Sequence, residues 1–72
     1  MSIENQEKVY LPYQQRVVDE RNVLSKNLEK LNAFIASPEF KSISMQEQAR
    51  LRHQSLLMSD LRIVLTERID NF

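Results

Sequence analysis

Apolar side chains recur every three or four residues along two stretches of this chain, roughly Pro12 to Ala36 and Met45 to Asp70. Such spacing puts them on one face of an α-helix. In the first stretch the face is Val17, Leu24, Leu28, Leu31 and Ile35. Gln14 and Arg21 share its stripe, so the seam is expected to be dry near the loop and polar toward the open end. One reading is that these two side chains snorkel to water at a frayed end. Pro12 suits a first helical turn, where its missing N–H is no loss. Asp19 and Glu20 precede Lys26 and Lys30, the charge order that a helix dipole favours. Pro38 then stops the helix, because the residue before a proline is disfavoured in the helical region.

The connector is Ser37 to Ile43, with Phe40 and Ile43 available to plug the end of a hairpin. Ser44-Met45-Gln46-Glu47 reads as a capping box opening the second helix. There Leu51, Met58, Leu65 and Phe72 repeat every seven residues, with Leu61 and Ile69 beside them. Leu57 and Val64 widen the stripe, and Leu56 and Ile63 widen it further, to more than half the circumference. One facing helix cannot cover that arc, so the second helix is expected to pack on the first and on another subunit. The fold class is all-α: an antiparallel two-helix hairpin that assembles into a homo-oligomeric helical bundle. Residues 1–11 form an N-terminal arm and residues 12–72 the hairpin domain, with helices at about 12–36 and 45–70. A loop centred near residue 40 makes level residues those whose numbers add to about 80. Leu31 then sits near Ala49, Leu24 near Leu56 and Val17 near Ile63.

Composition narrows the rest. The chain has no Gly, which argues against a turn-rich β architecture. At 72 residues it is one small domain of marginal stability. The absence of Cys removes disulfides and thiolate metal sites. A lone His53 makes no metal site without several carboxylates, so no metal or cofactor is expected. Self-association is the remaining source of stability. Ten basic and ten acidic residues cancel, which predicts no strong pull on duplex DNA or an anionic membrane. No apolar run approaches the ~20 residues of a membrane span. Met1 to Lys8 is acidic and polar, unlike a signal peptide, and a cytoplasmic location is expected.

No nucleophile–base constellation is visible, and there is no Gly-rich phosphate loop. His53 reads as a surface or interface residue, and Asp19, Glu20, Glu67 and Asp70 as solvated faces. Enzyme activity is not expected. Arg50, Arg52 and His53 form a short basic cluster, but Glu47 lies close by, and a helix-turn-helix needs a third helix and a shorter turn. The open end gathers Tyr10, Tyr13, Gln14 and Arg16 with Arg62, Glu67 and Arg68. Within that group Tyr10, Tyr13, Gln14, Arg16 and Arg68 are the candidate ligand-binding residues. Aromatic rings stack on a base, arginine forks onto phosphate, and helix N–H groups favour anions. The alternative is ordinary packing of the tyrosines at a subunit interface with exposed arginine ion pairs, and the residues alone favour it.

A resemblance shifts that balance. Tyr13 to Glu20, Leu24, Leu28 to Leu31, Ala33 to Ile35, Phe40, Gln54, Met58, Leu65 and Arg68-Ile69 together resemble a widespread family of small tailed-phage and prophage proteins. That family comprises relatives of a crAss-like phage protein. Leu61 stands in a region where the family often carries an aromatic. In size, hairpin architecture and its Tyr/Arg group the chain is also similar to the anti-CBASS sponge proteins, an analogy of architecture. Those proteins bind cyclic oligonucleotide signals between subunits. The resemblance implies a phage counter-defence protein in an infected bacterial host that sequesters a small, cyclic nucleotide without cleaving it. The other function that fits is a phage accessory module that binds and inhibits a host protein through exposed apolar faces.

Overall fold

The computed structural model describes residues 9–72. Most of the arm expected over residues 1–11 therefore lies outside the described residues. α1 spans Pro12–Ile35 and α2 spans Met45–Asp70. A short 3₁₀ helix, Pro38–Ser42, lies between them. The two helices pack as an antiparallel all-α hairpin. It measures 55 × 23 × 16 Å, a single seam with no second layer.

Local chemistry sets the ends of each helix. Leu11 precedes α1 in an extended conformation, and its N–H donates to Gln14 Oε1 at 2.8 Å. Gln14 thus turns back to cap the helix and does not snorkel to water. At the other end the N–H and hydroxyl of Ser37 both donate to the Phe34 carbonyl. Pro38 then starts the 3₁₀ turn, where its fixed φ is no hindrance. Ser44 caps α2 as its spacing predicts: the Glu47 N–H donates to Ser44 Oγ at 3.1 Å. The reciprocal half of the box is replaced, because Arg50 Nε holds the Glu47 carboxylate at 2.8 Å. Ser44→Ala is expected to cost about 1 kcal/mol, read as a lower urea midpoint. An unchanged midpoint would mean that the connector holds the helix start without the hydroxyl.

The register differs from the expected one. Asn32 Oδ1 accepts from Ser55 Oγ at 2.6 Å, and Arg21 Nη1 donates to Thr66 Oγ1 at 3.4 Å. Both pairs have numbers that add to 87, not 80. The connector is itself helical and runs on past α1, so the first turns of α2 pack beside the connector instead of beside α1. Phe40 fills this junction at 2% exposure, edge-on to Phe34 and beneath the Arg52 guanidinium at 4.9 Å.

The open end of the seam is also not polar, contrary to the expectation. Val17, Leu65 and Ile69 form the buried cluster, with Tyr10, Val18, Leu24 and Phe72 packed against it. The open end is therefore as dry as the connector end around Leu28 and Phe40, and the cross-helix polar pairs Arg21–Thr66 and Asn32–Ser55 are interspersed along the seam. The cause is the register, which sets the apolar C-terminal turns of α2 against Val17. Arg21 is half-buried within the seam, where it reaches Thr66. The only other buried side chains among the described residues are Leu28 and Phe40.

Candidate functional site

A groove of about 530 Å³ runs along one flank of the hairpin. α1 lines it with Arg16, Asp19, Glu20, Val23, Leu24 and Asn27, and α2 contributes Leu61. The α1 set follows from helical spacing: 16, 20, 23 and 27 are steps of three or four, one stripe beside the buried face. Leu61 projects to the same flank from α2. Leu57, Val64 and Arg68 share its side of that helix at the same spacing. Leu57 and Val64 are exposed there. The floor is thus aliphatic. The rim holds one cation, two carboxylates and one amide, all on exposed residues.

The candidate ligand-binding residues divide. Tyr10 and Tyr13 meet at the open end, where each presents an edge-to-face contact to Phe72 at about 6 Å between ring centroids. Phe72 is held for this by its own N–H, which donates to the Ile69 carbonyl. Asn71 caps the same turn through the Glu67 carbonyl. Gln14 is occupied at the helix start. Arg16 lies in the groove, one turn along α1 from Tyr13. Arg68 is exposed one turn before Phe72 on the groove side of α2. The structure therefore brings Tyr10 and Tyr13 together on Phe72, places Arg16 one turn from Tyr13 in a groove that neither tyrosine lines, and gives Gln14 a structural bond.

Several residues of this region escaped the sequence reading. Val23 and Asn27 carry no motif, but their spacing from Arg16 was available as a signal. Phe72 read as the end of a heptad stripe; that two tyrosines enclose it depends on register. Asp19 and Glu20 were assigned to a solvated face, and both border the groove. The basic cluster on α2 disperses, with Arg50 on Glu47, Arg52 on Phe40 and His53 exposed.

A family model described as Sequestin matches residues 11–71. The chain belongs to the Sequestin family. No curated protein and no solved structure matches it. Sequestin membership implies a binding, sequestering role and not a catalytic one. The Sequestin match takes in both helices, the connector and every groove residue. Tyr13, Gln14, Arg16 and Arg68 fall within it, whereas Tyr10 and Phe72 lie just outside. No helix among the described residues is long and apolar enough to cross a membrane.

Proposed function

We propose that this protein sequesters a cyclic nucleotide immune signal without cleaving it, as a phage counter-defence protein in the cytoplasm of an infected bacterial host. The observation that carries the reading is the flank groove with Arg16 at its rim. Its volume lies within the range of small-molecule sites, about 300–1,000 Å³. Val23, Leu24 and Leu61 offer an apolar floor to the face of a base. Arg16 offers a charge-assisted fork to phosphate. Asp19 and Glu20 repel phosphate but accept hydrogen bonds from ribose hydroxyls and exocyclic amines, so they orient the ligand with its phosphate toward Arg16. Tyr10, Tyr13 and Arg68 extend the site toward the open end. Gln14 serves it indirectly, by holding the first turn that carries Tyr13 and Arg16. Sequestration requires binding alone, in keeping with the family. Self-association into a homo-oligomer is part of the same proposal, motivated by a hairpin that buries so few side chains.

A second reading is favoured by a separate observation. Leu56, Leu57, Ile63 and Val64 are exposed on α2, as a module that docks on and inhibits a host protein would require. A thermal-shift screen against cyclic di- and trinucleotides and cyclic ADP-ribose isomers separates the two. Ligand at a hundred times its Kd adds about 2.7 kcal/mol to stability. In a domain this small that raises the melting temperature by on the order of 10 °C. The ligand should be recovered intact after the protein is denatured. If no nucleotide produces a shift or a calorimetric heat, the sponge reading fails and the host-protein inhibitor replaces it.

A further inference from the structure

Phe72 lies beyond the last residue of α2, yet its ring is held in place. Its N–H donates to the Ile69 carbonyl at 3.1 Å, and Asn71 Nδ2 donates to the Glu67 carbonyl at 2.7 Å. The chain bends there so that the Phe72 ring meets two tyrosines from the start of α1. Tyr10 and Tyr13 stand edge-on to it at 6.1 and 6.0 Å, with interplanar angles of 72° and 69°. Edge-to-face is a favoured geometry of aromatic pairs. None of the three rings lines the groove, so this clasp reaches the groove only through the helix it holds.

What it holds is the less well capped of the two helix starts. α1 opens after Leu11, whose side chain carries no acceptor, and its first turn has no acidic residue to meet the helix dipole. α2 opens on the Ser44 hydroxyl, with Glu47 in its first turn. Locally, α1 is secured by the Gln14 bond to the Leu11 N–H, at an exposed position. The first buried side chain of α1 is Val17. Arg16 comes one residue earlier, so its turn is anchored on one side only by the core. In helical geometry the Arg16 N–H bonds to the Pro12 carbonyl and the Val17 N–H to the Tyr13 carbonyl. An unravelled first turn breaks both bonds and releases the backbone that directs Arg16 into the groove.

We propose that Phe72 is a positioning residue for the nucleotide site: with Tyr10 and Tyr13 it fixes the first turn of α1 and so holds Arg16 at the groove before a ligand arrives. The proposal rests on the sequestration reading above. A side chain that must be ordered on binding offsets part of the affinity it supplies, and the clasp does that ordering in advance.

Amide exchange and calorimetry on the full chain test this. Phe72→Ala should keep its helical circular dichroism. In the free protein, exchange at the Arg16 and Val17 amides should quicken by on the order of tenfold, a local opening that leaves Leu28 and Leu51 at wild-type rates. The chain has no Trp, and its two tyrosines are both in the clasp. Intrinsic tyrosine emission therefore reports the clasp, and acrylamide should quench it more readily in the variant. Phe72→Tyr keeps the ring and should restore wild-type exchange. Calorimetry then uses the screened cyclic nucleotide that gives the largest thermal shift. Phe72→Ala should weaken its binding by roughly three- to tenfold through the lost preorganisation, and Phe72→Tyr should not. In an Arg16→Ala background the same Phe72→Ala change should add no further loss, because the group it positions is gone. Unchanged exchange at Arg16 and Val17 overturns the proposal, and so does an equal loss of affinity with and without Arg16. A chain that binds no nucleotide overturns the sequestration reading and the site with it, whereas unchanged exchange overturns the clasp alone.

Discussion

Phe40→Ala is expected to be the most damaging single truncation in the chain, costing about 3–5 kcal/mol. Phe40 is at 2% exposure and joins three elements: the connector that carries it, Phe34 at the end of α1, and Arg52 near the start of α2. A thin hairpin has no surrounding layer that can collapse into the space left behind. The cavity term therefore adds fully to the lost transfer energy. For a domain of this size the loss corresponds to a melting temperature lower by roughly 12 °C or more. Thermal unfolding followed by circular dichroism reads it. Arg52→Ala provides the comparison, with an expected loss of about 0.5–1 kcal/mol, since the cation–π contact is near water. A Phe40→Ala change as small as that one would mean that the connector is not part of the cooperative unit.

Arg16→Ala should separate binding from stability. Arg16 is exposed, and the ion pair among the described residues is Arg50 with Glu47. Removing an exposed side chain with no buried partner changes stability by about 0.5 kcal/mol or less. A hydrogen bond to a charged phosphate contributes about 1.5–3 kcal/mol. Its loss weakens nucleotide binding by roughly ten- to a hundredfold. Calorimetry on the variant and the wild type, at matched salt, gives that ratio, and the melting temperature of the free proteins gives the control. Unchanged affinity with an intact fold would place the ligand outside the groove. A collapse of the fold would make Arg16 structural and the site misplaced. Tight capture also requires the groove to be arranged before the ligand arrives, since ordering its side chains on binding offsets much of the gain. The neighbouring geometry meets this requirement in part: Gln15 Nε2 donates to Asp19 Oδ1 at 2.9 Å, and the aromatic clasp on Phe72 fixes the first turns of α1.

Much of the site's content was visible before its shape. Tyr10, Tyr13 and Arg16 could be placed near one end of a hairpin because helix boundaries followed from Pro12, Pro38 and Ser44. Their distances from Phe72, Leu61 and Arg68 could not, because every such distance depends on which turn of α2 faces which turn of α1. The expected register assumed a connector that only reverses the chain. The 3₁₀ turn instead carries the chain onward, and the pairing shifts by seven in the summed residue number. That shift brought Arg21 to Thr66 and made the open end dry. Gln14 has a local role that its Tyr/Arg neighbourhood does not suggest: a polar residue three positions after the residue preceding a helix can cap it.

The sequence by itself determined the two helices, their ends, and the excess of apolar surface on α2. These are local properties: proline geometry, hydroxyl capping and 3.6-residue periodicity act within a few residues and need no partner. Only the tertiary structure decided which apolar residues are buried, since Leu65 and Ile69 meet Val17 while Leu56, Leu57, Ile63 and Val64 stay in water. It also decided that Arg16, Val23, Asn27 and Leu61 share one groove. Packing is a non-local choice among nearly equivalent stripes, and in this chain the length of the 3₁₀ connector, with Phe40 buried in it, enters that choice.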